Sequence, residues 1–178
     1  MARSAEFTSS PGFPPIARDD ARVLILGSLP SRASLQARQY YAHPQNAFWN
    51  IMRELTGADG SYVARCEAIG RSGIAVWDVL SSSVRPGSMD ADIHMASAVA
   101  NDFDAFFETH DRVRLVCFNG KKAEQMFHRF VQPIALANTL TFASLPSTSP
   151  AYASLSFAQK LQAWRGIVAT EIEQGQKQ

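Results

Sequence analysis

The chain has 178 residues, of which 46% are hydrophobic and 19% charged, with a formal net charge of +1. That length favours one domain with a full core, and the charge excludes a protein coated in positive charge while leaving room for a local basic groove. No apolar run approaches the ~18 residues needed to cross a bilayer, and the Ser- and Pro-containing segment 1–20 lacks the apolar stretch of a signal peptide.

Residues 1–20 are expected to form a flexible arm, 21–173 a single domain, and 174–178 a frayed tail. Val23-Leu-Ile-Leu26 is a short apolar strand closed by Gly27. About twenty residues of loop follow, a length that usually marks a working loop. Phe48, Ile51, Met52 and Leu55 then recur at helical spacing, and Gly57 ends that helix. A second helix is predicted from about Tyr62 to Ile69, and Ile74-Ala-Val-Trp77 reads as the second strand. Ser81 to Asp92 reads as loop. Asn101 is placed to cap a short helix carrying Phe103, Phe106 and Phe107. Val113–Phe118 is the third strand, and a tight turn at Asn119-Gly120 opens a helix with Ala123, Met126, Phe127 and Phe130 on one side. Thr139–Ala143 is the fourth strand and Ser144–Leu155 another loop. Ser156-Phe-Ala-Gln159 has the form of a capping box, and Phe157, Leu161, Trp164, Ile167, Val168 and Ile172 follow at helical spacing. The alternation predicts an α/β fold, three α/β/α layers around a central, mostly parallel four-stranded sheet. The loops that begin at Gly27, Asp78, Asn119 and Ser144 then share one edge of it.

Cys66 and Cys117 lie in apolar contexts and read as buried free thiols, too few for a cysteine-ligated iron–sulfur cluster. The four histidines lack metal-ligand spacing, so neither a metal nor another cofactor is expected. The Gly27 turn offers N–H groups from Ser28 and Leu29, suited either to a plain turn or to stabilising developing negative charge. It is neither a Walker loop nor Gly-x-Gly-x-x-Gly. Tyr40 and Tyr41 fit core packing or a stacking platform for bases. Asn46 fits a helix cap or a water-holding amide. His43, set before Pro44 in extended backbone, fits a structural role or a catalytic helper. Asp78 fits a base or a turn residue. Arg85-Pro-Gly-Ser88 and the leading Lys121 and Lys122 fit either solvated surface or phosphate contacts. Leu145-Pro-Ser-Thr-Ser149, stiffened by Pro146 and Pro150 and rich in hydroxyls, fits a connection or a clamp on a DNA backbone.

Together, Gly27-Ser-Leu-Pro-Ser31, Tyr40-Tyr-Ala-His-Pro-Gln-Asn-Ala-Phe-Trp49, Asn119-Gly-Lys121 and Leu145-Pro-Ser-Thr-Ser149 resemble the uracil-DNA glycosylase superfamily, most of all its hypoxanthine-DNA glycosylase branch, with mismatch-specific uracil-DNA glycosylase as a neighbour. Leu29 stands where mismatch-specific members carry a catalytic Asn, and Leu145 where other branches carry Asn or His. The resemblance implies a monofunctional DNA glycosylase that hydrolyses the N-glycosidic bond of deaminated bases, hypoxanthine first, with uracil and xanthine as further candidates. In that reading Asn46 positions the attacking water with His43 as helper. Gly27, Ser28, Leu29, Tyr41 and Asn119 hold the flipped base. Ser31, Arg85, Ser88, Lys121, Leu145, Ser147, Thr148 and Ser149 contact DNA. The partner is DNA containing deaminated bases, with no membrane and no metal, and the protein is expected to be monomeric and cytoplasmic, nucleoid-associated if bacterial. The apolar Leu29 and Leu145 also fit a non-catalytic DNA- or nucleotide-binding module. A small-molecule hydrolase using Asp78 or Ser28 lacks the Gly-x-Ser-x-Gly elbow.

Overall fold

The computed structural model describes residues 9–87, 89, 92–131 and 137–175. Its centre is a parallel sheet of four strands, β2 (Val23–Gly27), β3 (Ile74–Asp78), β6 (Leu115–Asn119) and β7 (Thr141–Leu145), in the order β3-β2-β6-β7. Every residue of β2 and β3 is buried, as is β6 up to Phe118, because helices cover both faces. The uninterrupted apolar runs of these strands follow from that double burial. The register sets Gly27 beside Asp78 and Asn119 beside Leu145, so the carboxyl ends of the strands align at one edge. The chain steps from β2 to β3 on one side, then crosses to β6 on the other. A reversal of this kind opens a crevice at the strand ends, where α/β proteins bind ligands.

Two of the elements lie two residues later than the sequence pattern implies. The third strand starts at Leu115, and the fourth runs Thr141–Leu145 because Ala137–Thr139 forms a single 3-10 turn. Leu145 is therefore a buried strand residue at 3% exposure rather than the start of a loop, which removes it from the DNA-contacting set. The short helix α4 (Phe103–Thr109) is capped by Asp102, whose carboxylate accepts from Ala105 N at 3.0 Å. Asn101 instead donates from Nδ2 to the Asp78 carbonyl at 2.8 Å.

A second, antiparallel sheet of β1 (Ser9–Pro11), β4 (Leu80–Val84) and β5 (Val99–Ala100) has no counterpart in the sequence reading, which makes Ser81–Asp92 a loop. Its strands are short, and the serines of β4 hide any alternation of apolar and polar residues. From Ser9 onward the expected N-terminal arm is built into the fold. β1 pairs with β4, Ile16 bridges Val76 on the outer edge of β3, and the Phe13 carbonyl accepts the Trp77 indole N–H at 3.0 Å. That bridge partly covers an edge strand that would otherwise stand open.

The helices α2 (Phe48–Thr56), α3 (Tyr62–Arg71), α5 (Lys121–Phe130) and α6 (Phe157–Trp164) bury their apolar stripes against the sheet. The Ser156–Gln159 capping box is present. A π-turn at Arg165–Ala169 carries α6 into α7 (Thr170–Gly175). Trp164 and Phe48 are fully buried, edge to face at 6.1 Å between ring centroids. The Trp164 indole also donates to the Pro146 carbonyl at 2.9 Å, tying α6 to the loop after β7.

Trp164→Ala should therefore cost about 3–5 kcal/mol in urea unfolding, the range for a large aromatic lost from a packed core. Alkali should also weaken the fold. Burial pushes the Tyr62 hydroxyl from 10.0 to about 12 and the Cys117 thiol from 9.0 to about 12. The folded state thus keeps protons that the unfolded chain has released, and stability should fall as pH rises from 9 to 12. Urea midpoints measured across that interval check it, and Cys117→Ala should flatten the decline.

Candidate active site at the carboxyl edge of the sheet

A cavity of about 320 Å³ opens at the crevice, within the size range of small-ligand sites. The first loop supplies Gly27 to Ser31, Ser34, Tyr40, Tyr41 and Asn46. Asp78 and Asn119 come from strand ends, Arg85 and Met89 follow β4, and Ser147 to Ser149 with Ala151 and Tyr152 come from the loop after β7.

The first loop is not the open stretch its length implies. It holds a helix, α1 (Arg32–Ala37), capped by Ser31, whose hydroxyl accepts from Ser34 N at 3.2 Å. Ser34 Oγ accepts in turn from Ala42 N at 3.2 Å. Tyr40 is buried and bonded at three points. Its N–H donates to the Tyr62 hydroxyl at 3.0 Å, its carbonyl accepts the Trp49 indole N–H at 2.8 Å, and its hydroxyl donates to the Pro14 carbonyl at 3.0 Å. Burial, then the nearby Asp78 charge, raises its pKa and keeps the phenol neutral. Tyr40 is thus the core member of the tyrosine pair.

Tyr41 is the pocket member. It is half-buried and has φ of 54°, an uncommon backbone for an aromatic residue that is held only where surroundings dictate it. Its ring stacks on Phe48 at 4.0 Å and 23°. Gly27 makes room for it. A Cβ on Gly27 would lie 2.5 Å from Asp78 Oδ1 and 3.0 Å from the Tyr41 hydroxyl oxygen. The carbonyls of Gly27 and Ser28 accept from Val79 N and Leu80 N at 2.8 and 3.1 Å, so the acceptors of this turn are already used.

Asn46 lines the cavity just ahead of α2. Its Oδ1 accepts from Phe48 N at 3.0 Å, so the cap-like contact and the pocket position coexist. That bond fixes the amide and leaves the second Oδ1 lone pair and the NH2 group to act. His43 is exposed and outside the lining, and its Nδ1 accepts from Gln45 N at 3.2 Å, which gives a helper role no footing.

Other expected contacts are corrected by burial and pairing. Asn119 donates from Nδ2 to Thr148 Oγ1 and accepts at Oδ1 from Thr148 N, both at 2.9 Å. It serves as a clamp rather than a base-reading amide. Thr148, 1% exposed, is sealed between Asn119 and the first loop, whose Ala47 N donates to its carbonyl at 2.9 Å, so it is closed to a phosphate. Arg85 is buried and donates to the Pro30 carbonyl beneath the Gly27 turn. Lys121 is exposed but outside the lining, and Ser88 lies outside the described residues. Ser147 and Ser149 stand half-buried at the rim. Sequence reasoning passed over Lys160, which is 5% exposed and donates to the Ser149 carbonyl at 3.3 Å, burial lowering its pKa. A lysine within a helical stripe gave no sign of this. Among the described residues no group of His, Cys, Asp and Glu is arranged to hold a metal, and no helix is long and apolar enough to cross a membrane.

Two substitutions test this geometry. Gly27→Ala, which drives a methyl into Asp78 and Tyr41, should cost about 1–3 kcal/mol by overpacking. Asn119→Ala, which strands the buried Thr148 N–H, should cost about 1–3 kcal/mol. Chemical denaturation measures both.

The comparisons with known proteins agree with this architecture. The sequence pattern of the family described as the uracil DNA glycosylase superfamily matches residues 14–168. A hypoxanthine DNA glycosylase of Methanosarcina acetivorans is 37% identical over 115 residues, covering 63% of this chain and 72% of the relative, and one of Methanosarcina barkeri is 38% identical over the same shares. A solution NMR structure of a Methanosarcina acetivorans protein, provisionally named a uracil DNA glycosylase, superposes with a TM-score of 0.76 at 30% identity, over 92% of this chain and 99% of that one. With its pattern running from before β2 into the π-turn after α6, the chain belongs to the uracil DNA glycosylase superfamily.

Proposed function

We propose that this protein is a monofunctional DNA glycosylase that removes hypoxanthine, and with it related deaminated bases, by hydrolysis of the N-glycosidic bond. The observation that carries the reading is the meeting of Asn46 and Tyr41 in one cavity at the sheet edge, in a chain of this superfamily related to hypoxanthine DNA glycosylases.

A base inside a duplex is out of reach of the cavity, so the nucleotide must be extruded, at a cost of a few kcal/mol. Ser147 and Ser149, on a loop fixed by Asn119, Trp164 and Lys160, grip phosphate oxygens beside it. The Tyr41 ring, backed by Phe48, supports the flipped base. Asn46, fixed through Phe48 N, orients the water that attacks C1′, and the electron pair of the C1′–N bond leaves with the base. The Leu29 N–H, which has no protein acceptor among the described residues, is suited to the charge that develops there. No lysine lines the cavity among the described residues, which favours water over an amine as nucleophile.

Purified protein, treated with chelator, should release hypoxanthine from an inosine-containing duplex and leave an abasic site without strand cleavage. Asn46→Ala should reduce turnover by about 100-fold or more, the scale for a lost polar group that acts on the transition state. Its stability should fall by only about 1 kcal/mol, the scale for a lost helix cap. Base release followed by chromatography, with alkali cleavage of the abasic product, reads the outcome. Tight binding without any abasic site, on inosine, uracil and xanthine duplexes alike, would favour a non-catalytic binding module.

A further inference from the structure

Lys160 carries a positive charge where folding alone does not favour one. It is 5% exposed and lies in the first turn of α6, the end at which the helix dipole opposes a cation. Among the described residues no carboxylate pairs with it. Its ammonium donates to the Ser149 carbonyl at 3.3 Å and faces the Tyr152 ring at 5.4 Å from the ring centre. Burial lowers its pKa, as expected of a charge with no anion beside it. The Ser149 carbonyl also accepts from Tyr152 N at 3.1 Å, so that oxygen is satisfied without the lysine. A buried cation in such a setting costs the fold more than it contributes, which points to an anion that arrives later.

Both contacts of the ammonium belong to the cavity rim. Ser149 and Tyr152 line the cavity and Lys160 does not, so the charge stands directly behind the loop. The Ser147 hydroxyl oxygen accepts from Ser149 N and the Ser149 hydroxyl oxygen from Ala151 N, each at 3.2 Å, which leaves both O–H groups to donate. Donor hydroxyls backed by an unneutralised cation suit an anion with several acceptor oxygens. We propose that Lys160 is a positioning residue for DNA. Its charge, acting through the Ser149 loop, holds one backbone phosphodiester on the Ser147 and Ser149 hydroxyls and so seats the strand beside the cavity. This rests on the DNA contacts of the reading above and deepens them by naming the charge behind the two serines. It also concentrates positive charge where one phosphate sits, in keeping with a chain whose net charge is only +1.

The test measures binding of the full chain to a labelled duplex carrying a tetrahydrofuran abasic analogue, by fluorescence anisotropy over a series of salt concentrations. Lys160→Met keeps the apolar stem and removes the charge. Its plot of log affinity against log salt should be shallower by about one, and its affinity about tenfold weaker near physiological salt. Arg71→Met makes the same charge change at the end of α3, just ahead of β3 and so at the opposite edge of the sheet, and should leave the slope as it is. On an inosine duplex Lys160→Met should raise KM with little change in kcat. A scan of single neutral methylphosphonates along the strand should find a position that weakens wild-type binding and leaves Lys160→Met unaffected. The urea midpoint of Lys160→Met should equal or exceed that of wild type, because a buried unpaired charge is gone. An unchanged salt slope in that variant overturns the proposal. So does a collapsed urea midpoint, which marks the lysine as a structural tie. Loss of slope without any base release from wild type sinks the glycosylase reading alone, base release with an unaltered slope sinks this proposal alone, and no binding to any duplex sinks both.

Discussion

The approach of two side chains to the bare Cα of Gly27 is the contact on which the rest of the site depends. Parallel pairing brings Asp78 alongside, and the first loop returns Tyr41 to the same place. Any side chain at Gly27 would fill the space where the carboxyl and the phenol meet. The turn that follows is held from its other side, because Val79 and Leu80 donate to its carbonyls as the chain passes from β3 into β4. The small antiparallel sheet is therefore part of the site's foundation. It fixes the orientation of the turn that lines the cavity.

Holding Tyr41 at positive φ costs of the order of 1–3 kcal/mol, and the structure shows what sustains it. Tyr40, one residue earlier, is bonded through its amide, carbonyl and hydroxyl to three different segments, including the strap at Phe13 and Pro14. Phe48, at the start of α2, covers the Tyr41 ring. The loop after β7 is fixed as firmly, by Asn119 on β6, Ala47 before α2, Trp164 on α6 and the buried ammonium of Lys160. Gly120 permits this approach, since a Cβ there would lie 2.9 Å from that of Ser147. Both walls of the cavity are thus set before any ligand arrives, and preset geometry is what lets an oriented water or a stacked base lower a barrier.

The parallel sheet and the edge that carries the site were legible because they rest on strong periodic signals. The apolar runs at Val23, Ile74 and Leu115 are the mark of strands buried on both faces, and the stripe from Phe48 to Leu55 is that of a surface helix. The second sheet left no such mark. Its strands run two to five residues, and its central one is mostly serine. Whether a polar residue faces the cavity or a neighbouring backbone was equally hidden. Asn119 and Thr148 look like substrate contacts until their mutual bonds are seen, and Asp78 looks like a turn residue until the register places it against Gly27. Sequence reports which groups are near a strand end, whereas pairing between distant segments decides which of them are taken up within the protein.

That distinction bears on the two apolar positions that favour a binding module. Leu145 faces the core as the last residue of β7, so its apolar character is required by packing and says nothing about catalysis. Leu29 does line the cavity, yet it gives the wall an apolar patch without emptying it of polar groups. Asn46 stands at the head of α2 with its amide fixed, and Asp78 stands at the end of β3. The amide that a strand-end Asn would supply is placed instead before α2. It lines the same cavity, because the first loop returns to the Gly27 turn at Tyr41. Loss of a polar residue at one end of the loop is then compatible with retained hydrolysis, provided the other end is held as rigidly as the Phe48 N–H and the Thr148 carbonyl hold it here.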